Sequence, residues 1–319
     1  MHFAVAGIDV PLWIPPLVAF AVSFATSMGG VSGAFLLLPF QVSMLGYTAP
    51  SVSATNQVFN IVAIPSGVWR YMREGRMVWP LTWVVIIGTL PGVLIGAVMR
   101  VAWLPDPGHF KLFAAAVLGY IGLRMVLDQI ARLRGRNGGR MTKAQAEERF
   151  QTLVRAHRAR GAEAGHALPG VRVERFDARR IGYEFYGERY ECSTPGIFAL
   201  SFVVGIVGGV YGIGGGSIIA PFFVSVFGLP VYTVAGAALM GTFVTSVAGV
   251  AFYQAIAPFW PSVSVAPDWL LGALFGLGGM AGMYLGARCQ KFVPASWIRW
   301  MLAVVILSTA LKYVIGVLF

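Results

Sequence analysis

Charge is scarce in this chain. Only 12% of its 319 residues are charged, 13 of them acidic, about half the share of a soluble globular domain. Outside residues 131–193 the acids are Asp9, Glu74, Asp106, Asp128 and Asp268, all near the ends of apolar runs. No carboxylate therefore sits deep enough for a proton or sodium relay, which argues against a cation carrier and leaves any coupling ion open. Histidine and cysteine are equally sparse. His2, His109, His157 and His166 stand outside the middles of the apolar runs, and Cys192 and Cys289 form no CxxC pair. No metal ligand set and no disulfide framework can be drawn from these residues. The reading contains no cofactor, no metal and no catalytic residue.

Apolar length is what the sequence has in abundance. Residues 51–69, 80–101, 110–127, 231–257, 269–287 and 298–319 form apolar runs, about the length that crosses a hydrocarbon core. Residues 12–46 and 195–228 are apolar but interrupted by glycines, and are too long for one simple span. A closed β-barrel alternates polar and apolar residues and shows no such runs. The expected fold class is an all-α polytopic membrane protein. No Lys or Arg precedes the first run, and its pattern returns later in the chain, so it reads as part of the mature fold rather than a cleaved leader.

The basic charge is concentrated. Residues 131–193 hold 13 Arg, 1 Lys and 8 acids, a net +6 of the chain's total +11. Such a segment reads as cytoplasmic by the positive-inside bias. Acids interleaved with the bases argue against nucleic-acid binding. Residues 142–164 have helical composition, and residues 171–190, VRVERFDARRIGYEFYGERY, alternate enough for a hairpin. The expected domains are a first transmembrane repeat at 12–130, a basic cytoplasmic loop or small subdomain at 131–193, and a second repeat at 194–319. The loop is a solvated linker or a docking site for a cytoplasmic partner.

The two transmembrane parts are related. Shifted by 182 residues, Gly33 meets Gly215, Pro39 meets Pro221, Phe40 meets Phe222 and Gly46 meets Gly228. Shifted by 190, Trp79 meets Trp269, Gly92 meets Gly282 and Gly96 meets Gly286; by 188, Lys111 meets Arg299 and Arg124 meets Lys312. Weak internal repeats of this kind mark transporter folds. The short loops have swapped charge between the halves. RYMREGR at 70–76 is basic, whereas its counterpart at 258–268 has no base and the following loop carries Arg288 and Lys291. Inverted halves are therefore expected. Each would open with a glycine-broken helix pair, 12–28 with 33–45 and 195–210 with 215–227, followed by three transmembrane helices. Eight kinked spans with parallel halves are the alternative.

The glycine breaks read as a site. Irregular backbone at membrane depth is tolerated only where protein buries it or a wet cavity borders it. A helix N-terminus offers free N–H groups and partial positive charge, and glycine lets a ligand approach the backbone. Candidate substrate-binding residues are Gly30, Ser32 and Gly33 at the first turn and Gly214, Gly215, Gly216 and Ser217 at the second. Asn56, Gln57 and Asn60 join them from the span after the first turn, and Thr242 and Thr245 from the span after the second. Ser53, Thr55 and Ser246 are polar neighbours. Close helix packing is the competing reason for the glycines, and the spaced glycines at 92/96 and 278/282/286 read that way.

These residues resemble the TauE/SafE family of sulfite exporters and organosulfonate permeases. The second half carries the glycine-rich turn and following proline as Gly212-Ile213-Gly214-Gly215-Gly216-Ser217 and Pro221. The first half departs from it with Gly29-Gly30-Val31-Ser32-Gly33 before Pro39. The resemblance covers residues 12–130 and 194–318, and the segment between them is long for the family. It implies passage of a small sulfur-containing anion such as sulfite, thiosulfate, a sulfonate or sulfoacetate across a lipid bilayer, in a multi-pass protein of the bacterial inner membrane. A passive anion channel would use the same donors. Gly30-Val31-Ser32-Gly33 also spells the GxSG of rhomboid-type intramembrane hydrolases, but no mid-span histidine is present to serve as base. GIGGGS lacks the βαβ unit of a dinucleotide loop.

Overall fold

The computed structural model describes residues 1–29, 32–73, 75–133, 170–185, 187–289 and 295–318. A two-stranded hairpin, β1 (His2–Phe3) with β2 (Ile8–Asp9), precedes the first half. That half contains α1 (Ile14–Gly29), α2 (Ala34–Ser43), α3 (Ser51–Ala63), α4 (Pro65–Arg73), α5 (Trp79–Ala102) and α6 (Pro107–Leu133). The second half contains α7 (Thr194–Tyr211), α8 (Ile219–Val226), α9 (Val231–Ile256), α10 (Trp269–Cys289) and α11 (Ala295–Leu318). Six of these helices, α5, α6, α7, α9, α10 and α11, are long and apolar enough to cross a membrane. Large apolar side chains such as Trp83, Ile87, Leu123, Val304 and Leu311 point outward, as a lipid-facing surface requires.

The apolar run at 51–69 is one path made of two helices. Pro65 has no N–H to continue the α3 ladder, so α4 starts afresh there although Ile64 itself keeps helical φ and ψ of −75° and −33°. The opening pair of each half is a longer helix followed by a short one. With 10 and 8 residues, α2 and α8 are about 15 Å and 12 Å long, half the hydrocarbon thickness or less. The expected second piece at 215–227 is shorter than anticipated and begins at Ile219. Gly212 and Gly214 hold φ of 78° and 76°, which ends α7 and turns the chain before α8 begins. The Gly212 N–H returns to the Gly208 carbonyl, a left-handed helix cap.

Spaced glycines explain which helices pair. A Cβ at Gly92 or Gly96 of α5 would overlap the carbonyls of Phe202 and Ile206 on α7, and one at Gly205 or Gly209 of α7 would overlap those of Thr89 and Val93. The α1–α10 pair works in the same way, with Gly278, Gly282 and Gly286 against the carbonyls of Pro16, Phe20 and Phe24. Small residues thus let the backbones touch, the basis of helix association in lipid. The contacts form a consistent scheme: α5 packs on α7 as α10 packs on α1, α5 on α9 as α10 on α3, and α6 on α11. Exchanging the two halves returns the same set of pairs.

Hydrogen bonds define the two ends of the bundle. At one end Ser264 Oγ donates to the Val5 carbonyl at 2.9 Å and pairs with Ser51 Oγ at 2.9 Å, and Arg100 Nη2 donates to the Thr48 carbonyl at 2.9 Å. At the other, the Val171 N–H donates to the Gly75 carbonyl at 2.9 Å, and the Tyr183 hydroxyl pairs with Thr233 Oγ1 at 2.7 Å. Residues 172–193 form a three-stranded antiparallel sheet rather than a lone hairpin: β3 (Arg172–Phe176), β4 (Arg180–Phe185) and β5 (Glu188–Ser193), with β4 central. Ile181, Tyr183 and Phe185 alternate along β4 onto its buried face. The helix expected at 142–164 lies outside the described residues.

Candidate functional site

All of α3 from Ser51 to Asn60 is buried, yet it carries Ser53, Thr55, Asn56, Gln57 and Asn60. In an apolar bundle such side chains need partners, and they find several of them on both glycine turns. The Asn56 amide donates to the Ala34 carbonyl at the start of α2 (3.0 Å) and to the Gly212 carbonyl at the end of α7 (3.1 Å). It also accepts from Gln41 Nε2 at 3.3 Å. One helical turn further on, the Asn60 amide donates to the Ile213 carbonyl at 2.9 Å and to Ser246 Oγ at 3.2 Å. Tyr211 and Phe35 stack at 6.1 Å, and the Tyr211 hydroxyl donates to the Phe35 carbonyl. The two glycine-rich breaks, about 180 residues apart in the chain, are therefore neighbours.

The second half completes this cluster. The Gly215 N–H donates to Thr245 Oγ1 at 3.1 Å, and Ser217 Oγ bonds the Ile213 carbonyl and lies 3.4 Å from Thr242 Oγ1. Thr242 and Thr245 also donate back to the Ala238 and Gly241 carbonyls of their own helix. Several buried polar atoms make no hydrogen bond with the protein: Ser32 Oγ, both amide atoms of Gln57, and Asn60 Oδ1. Gln57 is fully buried against Gly249. An amide with four bonding positions and none used needs an explanation beyond packing. The side chains named in this cluster carry no carboxylate, amine, guanidinium or imidazole, and the described residues contain no metal-ligand cluster.

The glycines themselves are closely packed. A Cβ at Gly33 would overlap Ser23 Oγ, one at Gly215 the side chain of Thr89, and one at Gly216 the Ala238 carbonyl. At Gly214 it would stand 2.9 Å from Ser246 Oγ. Gly30 lies outside the described residues. Of the candidate residues, Asn56 and Asn60 meet the second turn, and Gly215 and Ser217 meet Thr245 and Thr242; Gln41, Thr89 and Ser23, which the sequence did not single out, also border the turns. Gln41 is an amide within an apolar run, the same signal that singled out Asn56. Thr89 and Ser23 give no signal, because their approach to the turns depends on how α5 and α1 are placed. An open cleft of about 520 Å³ lies apart from this cluster, bordered by α2, α6 and α11 and lined by Ser43, Lys111, Lys312 and Tyr313 among others.

Comparison with known proteins agrees with this architecture. Searches of curated proteins and of solved structures gave no significant match. The family model described as sulfite exporter TauE/SafE matches residues 16–313, from α1 to the last turns of α11. With nearly the whole chain matched, and with six helices able to cross a membrane, the protein belongs to the TauE/SafE family of membrane sulfite exporters.

Proposed function

We propose that this protein carries a small sulfur-containing oxyanion, such as sulfite, thiosulfate, a sulfonate or sulfoacetate, through a site between its two glycine turns. The observation that carries the reading is the buried amide pair at the turns. Asn56 ties both turns together, while the neighbouring Gln57 is buried with its hydrogen-bonding capacity unspent. Neutral donors suit such a ligand. They supply hydrogen bonds worth about 0.5–1.5 kcal/mol each, weak enough singly for the ligand to be released. Family membership gives the substrate class.

Alternating access requires halves that exchange roles, and we take the halves to be inverted. Equivalent helices start at opposite ends: α5 begins beside the Gly75–Val171 contact, and α10 begins beside the Ser264–Ser51 contact. The pairing scheme that survives exchange of the halves supports a pseudo-two-fold relation. The basic segment at 131–193 then faces the cytoplasm, and residues 258–268 face the other side. Reconstitution into liposomes tests this reading. Vesicles preloaded with unlabelled sulfite should accumulate radiolabelled sulfite transiently against its gradient. Flux without such counterflow identifies a channel. No flux with sulfite, thiosulfate, isethionate or sulfoacetate would end the reading.

A further inference from the structure

The amide cluster lacks charge, but a charge is buried nearby. Arg100, in the last turn of α5, is fully buried. Its Nη2 donates to the Thr48 carbonyl at 2.9 Å, its Nη1 donates to the Leu104 carbonyl, and its guanidinium carbon lies 3.8 Å from the Phe110 ring centroid. Its Nε makes no hydrogen bond. Among the described residues no carboxylate lies within ion-pair distance of it. Carbonyls and a ring face solvate a guanidinium partly, but they leave its full charge uncompensated, and an unpaired buried charge is costly. A neutral side chain could make the same two carbonyl contacts at less cost.

Polar groups connect this charge to the turns. The Thr48 carbonyl that Arg100 holds is next in the chain to Tyr47, and Tyr253 packs in one cluster with Ala97 and Val101 beside Arg100 on α5. The Tyr47 hydroxyl pairs with Thr55 Oγ1 at 2.9 Å, next to Asn56. The Tyr253 hydroxyl donates to the Gly209 carbonyl at 3.2 Å, and Ser53 Oγ donates to the Val210 carbonyl at 3.0 Å. The Ser53 backbone lies directly against Gly212. Hydroxyl groups of Tyr47, Thr55, Ser53 and Tyr253 thus stand between the end of α5 and the glycine turns.

We infer that Arg100 is a second anion-binding residue, which receives the oxyanion at the end of the bundle carrying residues 44–50 and 257–268 and passes it to or from the amide cluster. The missing counter-ion of Arg100 is the transported anion, present transiently when that end opens. Planar, permanently charged guanidinium is well suited to an oxyanion. This inference rests on the anion-transport reading above and extends it with a charged entry or exit site.

The test compares Arg100→Lys and Arg100→Gln in the full chain reconstituted in liposomes, with sulfite as the probe and its concentration dependence as the readout. Gln retains neutral donors for the carbonyls, and Lys retains the charge. Loss of a charge-assisted contact should raise the half-saturating sulfite concentration roughly 10- to 100-fold in Arg100→Gln, with a much smaller rise in Arg100→Lys. Equal behaviour of both variants and the native chain makes Arg100 a tether for the α5 terminus and overturns the inference, while transport by the native chain still stands. A native chain that moves no sulfur anion removes both readings. Should the variants fail to fold, arginine modification by phenylglyoxal in the native protein decides the matter, mapped by mass spectrometry with and without saturating sulfite. Modification of Arg100 that sulfite suppresses supports the site. An Arg100 that never reacts, or reacts equally in both conditions, overturns it.

Discussion

Asn56 and Gly212 are joined by a hydrogen bond of 3.1 Å between the amide of α3 and the carbonyl of the glycine that caps α7. The same amide nitrogen holds the Ala34 carbonyl at 3.0 Å. One side chain thus fixes the distance between the two glycine turns, and the first half of the chain holds the broken helix of the second. Removing it should loosen both turns at once. Asn56→Ala should cost about 1–3 kcal/mol by leaving buried carbonyls unpaired, seen as a lower melting temperature in detergent, and should abolish sulfite counterflow. A variant as stable and active as the native chain would mean that the two turns are held elsewhere.

Gln57 should behave in the opposite way. Its amide makes no bond within the protein, so Gln57→Leu removes an unsatisfied buried group and should leave stability unchanged or raise it by up to about 1–3 kcal/mol. If the amide meets the anion, the same variant loses affinity. Thermal stability and sulfite binding by calorimetry, measured on one sample, should move in opposite directions. A parallel fall in both would make Gln57 a packing residue.

Gly215 requires a paired substitution, because its missing side chain accommodates Thr89. Gly215→Ala alone should destabilise the bundle by about 1–3 kcal/mol through overpacking. Adding Thr89→Gly makes room for the methyl group. If that double variant regains stability but not transport, the turn acts on the ligand as well as on packing. Recovery of both assigns Gly215 to packing alone.

Orientation can be read by cysteine labelling in a background with Cys192 and Cys289 replaced by serine. Ser262 and Arg172 are exposed and belong to opposite ends of the bundle. In intact cells an impermeant maleimide should label Ser262→Cys and spare Arg172→Cys. Labelling of Arg172→Cys alone reverses the orientation, and labelling of both breaks the inverted arrangement.

The sheet supplies a pH prediction. Burial in β5 pushes the Cys192 thiol up to about 11, with the Glu191 carboxylate adding to the shift. The neutral thiol is the form the fold favours. Its contribution to stability is therefore complete below the ordinary thiol range and lost as pH rises through about 11. Between pH 7 and 9 alkylation of Cys192 should remain slow in the folded protein and become fast in denaturant, as a mass-shift time course would show. Rapid alkylation of the native protein in that range would mean that β5 opens readily.

The sequence by itself established the membrane class, the long apolar spans and the broken opening helices, and it carries the matched positions from which a duplication is proposed. Each of these is a local property: apolar run length, charge placement, and glycines where a helix should continue. It also singled out Asn56 and Asn60, since amides inside an apolar run need partners wherever they fold. It could not name those partners. Gly212 lies 156 residues from Asn56, and no local pattern encodes that distance. The sequence also read residues 171–190 as one hairpin, whereas β3, β4 and β5 are three consecutive antiparallel strands, because the alternation along that stretch does not mark where the chain turns a second time between Phe185 and Glu188. Tertiary structure alone decided that α1 packs on α10 and α7 on α5, that Thr89 takes the place of a side chain at Gly215, and that Arg100 is buried with no carboxylate at ion-pair distance among the described residues. Close approach and desolvation are properties of two surfaces together, so they exist only once the halves of the chain have met.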